Sequence, residues 1–398
     1  MCTCYVIARE GVSGGTGTLS LRLLNELHLK GEHCAYFCCI NNNPEMMNQL
    51  QRCVDNLVCN PDRSYKMHFQ ILADDYDSFV FLTYSLNEYL EIDKIRRECN
   101  KIKRVIYYVV HGYAFKVIGT ENQSTLKKWA RHFLNIISRR QLVKELIKNK
   151  SIVFMDVLSV EETSRSLKLD IDRSLIYNIP FKMIDYDKNV WGELKHHTPF
   201  TIGTMCRFEF PMKGYVIGLI NELPELLKKF DIRVFIVGDG EGGDLFRQKI
   251  SLLPDDAKEK VKYIKNIPYS EIDTFFSECD LYLGMGTTLL DASNHNVLSV
   301  PVEGYTYNLN VGALFLENTG WLCSKGETRN VADLLKELFG YSREEYNALV
   351  QEQYEKVKEN YGIEKFVNDL FCGDYGIKRS VRWGEIVYNF FRKAMRLF

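Results

Sequence analysis

Three stretches of the chain set glycines beside cations, hydroxyls or acids in an order that suits a phosphorylated ligand. The first is Arg9-Glu10-Gly11-Val12-Ser13-Gly14-Gly15-Thr16-Gly17, which follows an apolar run and precedes a helical pattern. A glycine-rich turn at a helix start lets backbone N–H groups approach a phosphate or sugar closely. Gly14, Gly15 and Gly17 do not satisfy the Gly-x-Gly-x-x-Gly dinucleotide spacing, and no Lys-Ser/Thr follows to make a P-loop. A plain tight turn is the competing reading. The second stretch runs from Gly203 through Cys206-Arg207-Phe208 to Lys213-Gly214. It puts Arg207 at the end of an apolar run and Lys213 at the entrance of a helix, and two fixed cations there suit a diphosphate. Two solvated surface charges would read the same way.

The third stretch has two parts. Gly238-Asp239-Gly240-Glu241-Gly242-Gly243 ends an apolar run, where glycine permits close packing or close ligand approach. Gly284-Met285-Gly286-Thr287-Thr288 ends another and leads to Asp291. The amides of Gly286, Thr287 and Thr288 can cradle phosphate at a helix start. Asp291 can accept ribose hydroxyls, or simply complement the helix dipole. His111 follows the apolar run 105–110 and can position a sugar there, or sit as a satisfied rim histidine. No metal is expected. Asp170-Ile171-Asp172 and Asp185-Tyr186-Asp187 have Asp-x-Asp lettering, yet neither ends a buried strand, and both read as solvated charges. Arg207 and Lys213 can do a metal's work on a leaving diphosphate.

Positioning these groups takes strands and helices in alternation. Apolar, β-branched and aromatic runs occur at 5–8, 34–40, 79–84, 105–110 and 152–155, and again at 200–206, 233–237, 261–264, 280–283 and 298–302. Several are apolar on both faces, as strands between two helix layers must be. Helical stripes at 18–29 and 215–230 lie between them. The expected fold class is α/β, with two doubly wound parallel-sheet, Rossmann-like domains facing a cleft. The boundaries read as 1–180 for the first domain, 181–199 for a polar linker, 200–371 for the second domain and 372–398 for a tail. Ligands bind at the carboxyl ends of such sheets.

Taken in order, these pieces resemble the group 1 glycosyltransferases, the GT-B enzymes that use sugar nucleotides. The opening strand and glycine loop, the Gly203–Arg207…Lys213-Gly214 segment, the Ile236-Val237-Gly238-Asp239-Gly240 strand end, the run from Leu283 to Ala292 and Thr319-Gly320-Trp321-Leu322 follow the family's sequence of motifs. The likeness covers nearly the whole chain to about residue 341 and is strongest over 200–323. There are departures. The family's first motif glutamate falls on Leu283, its second on Asp291, and the glycine before the arginine on Cys206. The resemblance implies a nucleotide-diphosphate sugar as co-substrate rather than a bound cofactor. It implies Gly14, Gly15, Gly203, Gly238, Gly286, Thr287, Thr288 and Asp291 around the nucleotide, with Arg207, Lys213 and His111 at the reacting groups. It also implies transfer with retention to a saccharide or lipid-linked saccharide acceptor docked mainly on the first domain. Leu283 keeps a second reading open, a catalytically silent binding partner in polysaccharide assembly. A GT-B sugar-nucleotide epimerase is a third.

Composition narrows the field. The 398 residues carry 51 Lys plus Arg and 52 Asp plus Glu, a net charge of −1, so no chain-wide field for nucleic acid exists and none is expected as partner. Hydrophobic residues at 46% and charged residues at 26% are those of a globular protein. No apolar run reaches the ~18 residues of a membrane span, and the start lacks a signal-peptide pattern, which leads to a cytoplasmic expectation. The twelve cysteines are then reduced. Cys34-x3-Cys38-Cys39 alternates along a strand and reads as buried small hydrophobes rather than metal ligands. Residues 377–398 hold six basic side chains and Glu385, with Trp383, Ile386, Val387, Phe390, Phe391, Ala394 and Phe398 on one helical face. Such a helix can lie on an anionic membrane surface, or pack back onto the first domain.

Overall fold

The computed structural model describes residues 2–12, 15–41, 43–59, 64–112, 114–115, 125–186, 197–268, 271–317, 322–324, 327–372, 386 and 388–389. The chain divides into two compact units, Met1–Lys182 with Tyr361–Phe398, and Met183–Asn360.

The first unit is built on six parallel strands, β1 (Thr3–Gly11), β2 (His33–Ile40), β3 (Asn56–Cys59), β4 (Ser78–Thr83), β5 (Ile102–Val109) and β6 (Ile152–Phe154). Their order is β3-β2-β1-β4-β5-β6. Side chains alternate along β1: Cys4, Val6 and Ala8 enter one buried cluster, Tyr5 and Ile7 the other. Both faces are therefore apolar, as a sheet covered on two sides requires. The second cluster is closed by the Gly15–Leu29 helix and by Ile363, Phe366, Val367, Leu370 and Phe371. Phe371 meets Tyr5 edge-on at 5.7 Å, Phe366 lies 5.4 Å from Tyr108, and Lys30 Nζ donates to Asn368 Oδ1 at 2.9 Å.

The second unit carries five parallel strands, β7 (Phe200–Arg207), β8 (Ile232–Asp239), β9 (Val261–Ile264), β10 (Leu281–Gly284) and β11 (Leu298–Pro301), in the order β11-β10-β7-β8-β9. Ile202, Val234, Ile236, Leu281, Leu283 and Val300 are fully buried in it. The chain order reverses between β1 and β4 in the first sheet and between β7 and β10 in the second. Such reversals open a crevice beyond the strands' carboxyl ends.

The expected boundaries need two corrections. Residues 361–371 belong to the first unit, because their apolar stripe completes its core. The described part of the expected linker is anchored in the second unit from Met183 onward. Asn294 Oδ1 accepts from Ile184 N–H at 2.6 Å, Lys358 pairs with Asp185 at 2.6 Å, and His197 pairs with Asp280 at 3.0 Å. Of the expected tail, only Cys372, Ile386, Tyr388 and Asn389 fall among the described residues; Tyr388 is buried in the first core, while Ile386 is exposed. Among the described residues, no helix is long and apolar enough to cross a membrane.

Candidate functional site

The loop after β7 builds the site. Register sets Cys206 beside Gly238 and Arg207 beside Asp239. Phe208 then turns inward, its N–H donating to Asp239 O at 2.8 Å and its carbonyl accepting from Gly242 N–H at 2.9 Å. The ring is fully buried, 4.5 Å from Phe246. A Cβ on Gly238 would overlap the Phe208 ring, and one on Gly242 would overlap Phe210. The glycines of 238–243 thus make room for this fold-back, which leaves Arg207 at the rim with its side chain three-quarters exposed.

A cavity of ≈ 520 Å3 opens at this place. It is lined by Met205, Cys206 and Arg207 from β7, by Val237 to Asp239 from β8 and Gly240 just after it, by Lys265, Asn266 and Ile267 after β9, and by Thr288. Arg207 pairs with Glu209 at 3.1 Å, and Lys265 with Asp239 at 3.4 Å. Burial pushes the Cys206 thiol up to about 11, against the opposing pull of a Tyr215 hydrogen bond and the Lys213 charge. Burial also holds the Lys213 ammonium below the usual lysine value, although Cys206, Glu209 and Cys323 pull it back up. An anion bound nearby would relieve that penalty.

Of the residues expected from sequence, Arg207, Gly238 and Thr288 share this cavity. Gly286 and Thr287 adjoin it in the chain. Gly286 has φ +80°, and its N–H donates to Leu322 O at 2.5 Å, so this amide serves the turn rather than a free cradle. Lys213 and Asp291 are not in the lining; Asp291 is 3% exposed, in the short Thr288–Asn294 helix. Gly203 is a correction: it lies within β7, and a Cβ there would meet Cys279 Sγ, so it serves helix packing rather than ligand approach. Leu283 is fully buried in β10, where it pairs with Val300. Gly15 and His111 stand in the first unit, His111 exposed just beyond β5. Gly14 lies outside the described residues.

Asp172 caps a short turn through Ser174 N–H at 2.8 Å and Asp185 pairs with Lys358, which accounts for both; Asp187 lies outside the described residues. Lys265, Asn266 and Ile267 were not singled out from sequence. The signal for them was their place immediately after a short apolar run on the same sheet.

The fold has counterparts among solved structures. A crystal structure of Anabaena HepE in complex with UDP and glucose matches with a TM-score of 0.56 at 12% identity, over 92% of this chain and 98% of that one. A glycosyltransferase from Rickettsia africae matches with a TM-score of 0.57 at 14% identity, over 98% and 99%. The fold is GT-B. The lipopolysaccharide outer core galactosyltransferase WaaB, in its apo form, shares the GT-B fold with a TM-score of 0.53 at 11% identity, over 94% and 99%. No protein-family model and no curated protein sequence matches the chain.

Proposed function

We propose that the chain is a glycosyltransferase that moves a sugar from a nucleoside-diphosphate donor to a saccharide or lipid-linked saccharide acceptor, with retention at the transferred carbon. The observation that carries this reading is the cavity at the carboxyl ends of β7 and β8, with an exposed arginine on its wall in a GT-B fold. The complex of HepE with UDP and glucose supports a nucleotide-sugar donor. Departure of the nucleoside diphosphate places negative charge on the bridging oxygen. Arg207, Lys213 and the amides of Thr287 and Thr288 are assigned to stabilising it. Asp291 is assigned to the ribose, the glycine loop at Gly14 and Gly15 to the diphosphate, and His111 to positioning the reacting sugar. The same reading takes no metal, and places an anionic membrane surface against 377–398 as a partner.

One observation favours the silent-partner reading instead. Leu283 is buried and apolar where the family's acid would contact sugar hydroxyls. Incubating the purified chain with UDP- and GDP-sugars and a lipid-linked saccharide extract separates the two. Release of nucleoside diphosphate that depends on acceptor, and that Arg207→Ala abolishes, is the expected result. Diphosphate binding without release under any pairing would leave the silent reading standing.

A further inference from the structure

The loop that follows β11 bears two tyrosines that the site above does not use. Tyr305 is 73% exposed and Tyr307 44% exposed. Tyr305 also holds φ at +62°, a left-handed conformation that disfavours any residue with a Cβ. Glycine or asparagine would sit there with less strain, so the ring is kept against a conformational cost.

The loop is fixed. Tyr305 N–H donates to Met212 O at 3.1 Å, and Asn308 N–H donates to Thr306 Oγ1 at 3.1 Å. Asn310 Nδ2 donates to Glu303 Oε2 at 2.7 Å. Gly218 lets Leu309 and Asn308 lie directly on the Tyr215–Leu227 helix, and Gly214 does the same for Thr306. Phe210 extends the aromatic surface, with its ring 6.1 Å from that of Tyr307. A Cβ on Gly304 would meet both Met285 Cε and Met212 O. The loop therefore touches both Met285, in the turn that leads to Thr288, and Met212, the residue before Lys213, beside the two places assigned to the diphosphate.

We propose that Tyr305 and Tyr307 form the platform on which the transferred pyranose of the nucleotide donor stacks. The inference rests on the glycosyltransferase reading. A pyranose presents an apolar C–H face and polar edges, and a rigid, solvent-facing aromatic ring matches the former at little ordering cost. In the donor this ring is bonded to the diphosphate, so its platform must adjoin the phosphate-binding groups, as this loop does. The buried Leu283 offers that sugar no hydroxyl contact, which leaves stacking to supply recognition.

The test compares UDP with UDP-glucose and GDP with GDP-mannose by titration calorimetry. In the wild type at least one sugar nucleotide should bind more tightly than its own diphosphate. Tyr305→Ala and Tyr307→Ala should each erase that advantage, about tenfold or more, while the diphosphate affinity stays put. Tyr305→Trp should keep it. Tyr305→Gly should melt at or above the wild-type temperature, since it relieves the left-handed strain, yet lose the advantage. A sugar advantage that persists in both alanine variants, or that never occurs for either pair, overturns the platform. If neither diphosphate binds at all, it is the glycosyltransferase reading that falls.

Discussion

The carboxyl ends of the two sheets have been finished in opposite ways. Among the described residues of the first unit, side chains bridge the reversal between β1 and β4. Glu88 accepts from the N–H groups of Glu10, Tyr84 and Ser85 at 2.9, 3.1 and 3.0 Å, and the Tyr36 hydroxyl donates to Gly11 O at 3.2 Å. Ser20 Oγ and Tyr84 Oη are 3.3 Å apart in the same group. In the second unit, the end of β8 carries Gly238, with Gly240 just beyond it, beside Arg207 at the end of β7, and a cavity lies over them. A strand end whose amides are met by a buried carboxylate serves the fold, whereas one left open by glycine beside a cation can receive a ligand.

Removing the closing carboxylate should have the largest effect. Glu88→Ala leaves three backbone donors without their acceptor, at a cost of about 2–4 kcal/mol, read as a lowered denaturation midpoint with diphosphate binding intact. The conservative Glu88→Gln isolates the charge. Burial raises the Glu88 carboxyl above its ordinary value, against the pull of the three backbone bonds. The fold therefore holds a proton more readily than the unfolded chain does. The stability linked to this group is present below the unfolded value and is lost as pH rises through the raised one. Chemical denaturation across mildly acidic pH should show that slope in the wild type and a flatter one in Glu88→Gln.

Gly238→Ala sharpens the comparison from the other side. Its Cβ would overlap Phe208 and come within 2.5 Å of Cys206 O. The displaced fold-back should cost about 1–3 kcal/mol and weaken diphosphate binding as well, a coupling that Glu88→Ala lacks. A thermal melt and a titration on the same sample check both.

A smaller effect is chemical. Cys206 lines the cavity with a thiol raised to about 11. Iodoacetamide should label it slowly near neutral pH and roughly tenfold faster for each pH unit up to that value, because the thiolate is the nucleophile. Bound nucleoside diphosphate should protect it, as peptide mass spectrometry would record. Equal labelling with and without nucleotide would put the ligand elsewhere.

Much of this was legible in the sequence, and the exceptions have physical reasons. The long buried strands announced themselves through runs apolar on both faces, and β9 coincides with its expected range. β3 did not. It is four residues long, half-buried, and pairs only with β2 among the described strands. Arg207, Gly238 and Thr288 were legible because strand-end glycine and cations follow apolar runs. Gly203 misled because a glycine that admits Cys279 has the same letter as one that admits a phosphate. Ile363, Phe366 and Val367 were not singled out in the sequence, and periodicity alone does not say which core such a stripe completes. Tyr305 carried no signal in sequence, since its interest lies in a backbone angle.

The central claim is that the second unit's cavity holds a nucleoside diphosphate through Arg207. Its side chain is exposed, and its pair with Glu209 contributes at most about 1 kcal/mol to folding. Arg207→Ala should therefore melt as the wild type does. The decisive measurement is calorimetric titration of the full-length wild type and Arg207→Ala with UDP and with GDP. The account predicts saturable binding of at least one of them to the wild type, weakened about ten- to hundredfold in the variant by loss of a charge-assisted phosphate contact. Equal affinity in the two proteins, or no binding of either nucleotide to the wild type, would contradict it.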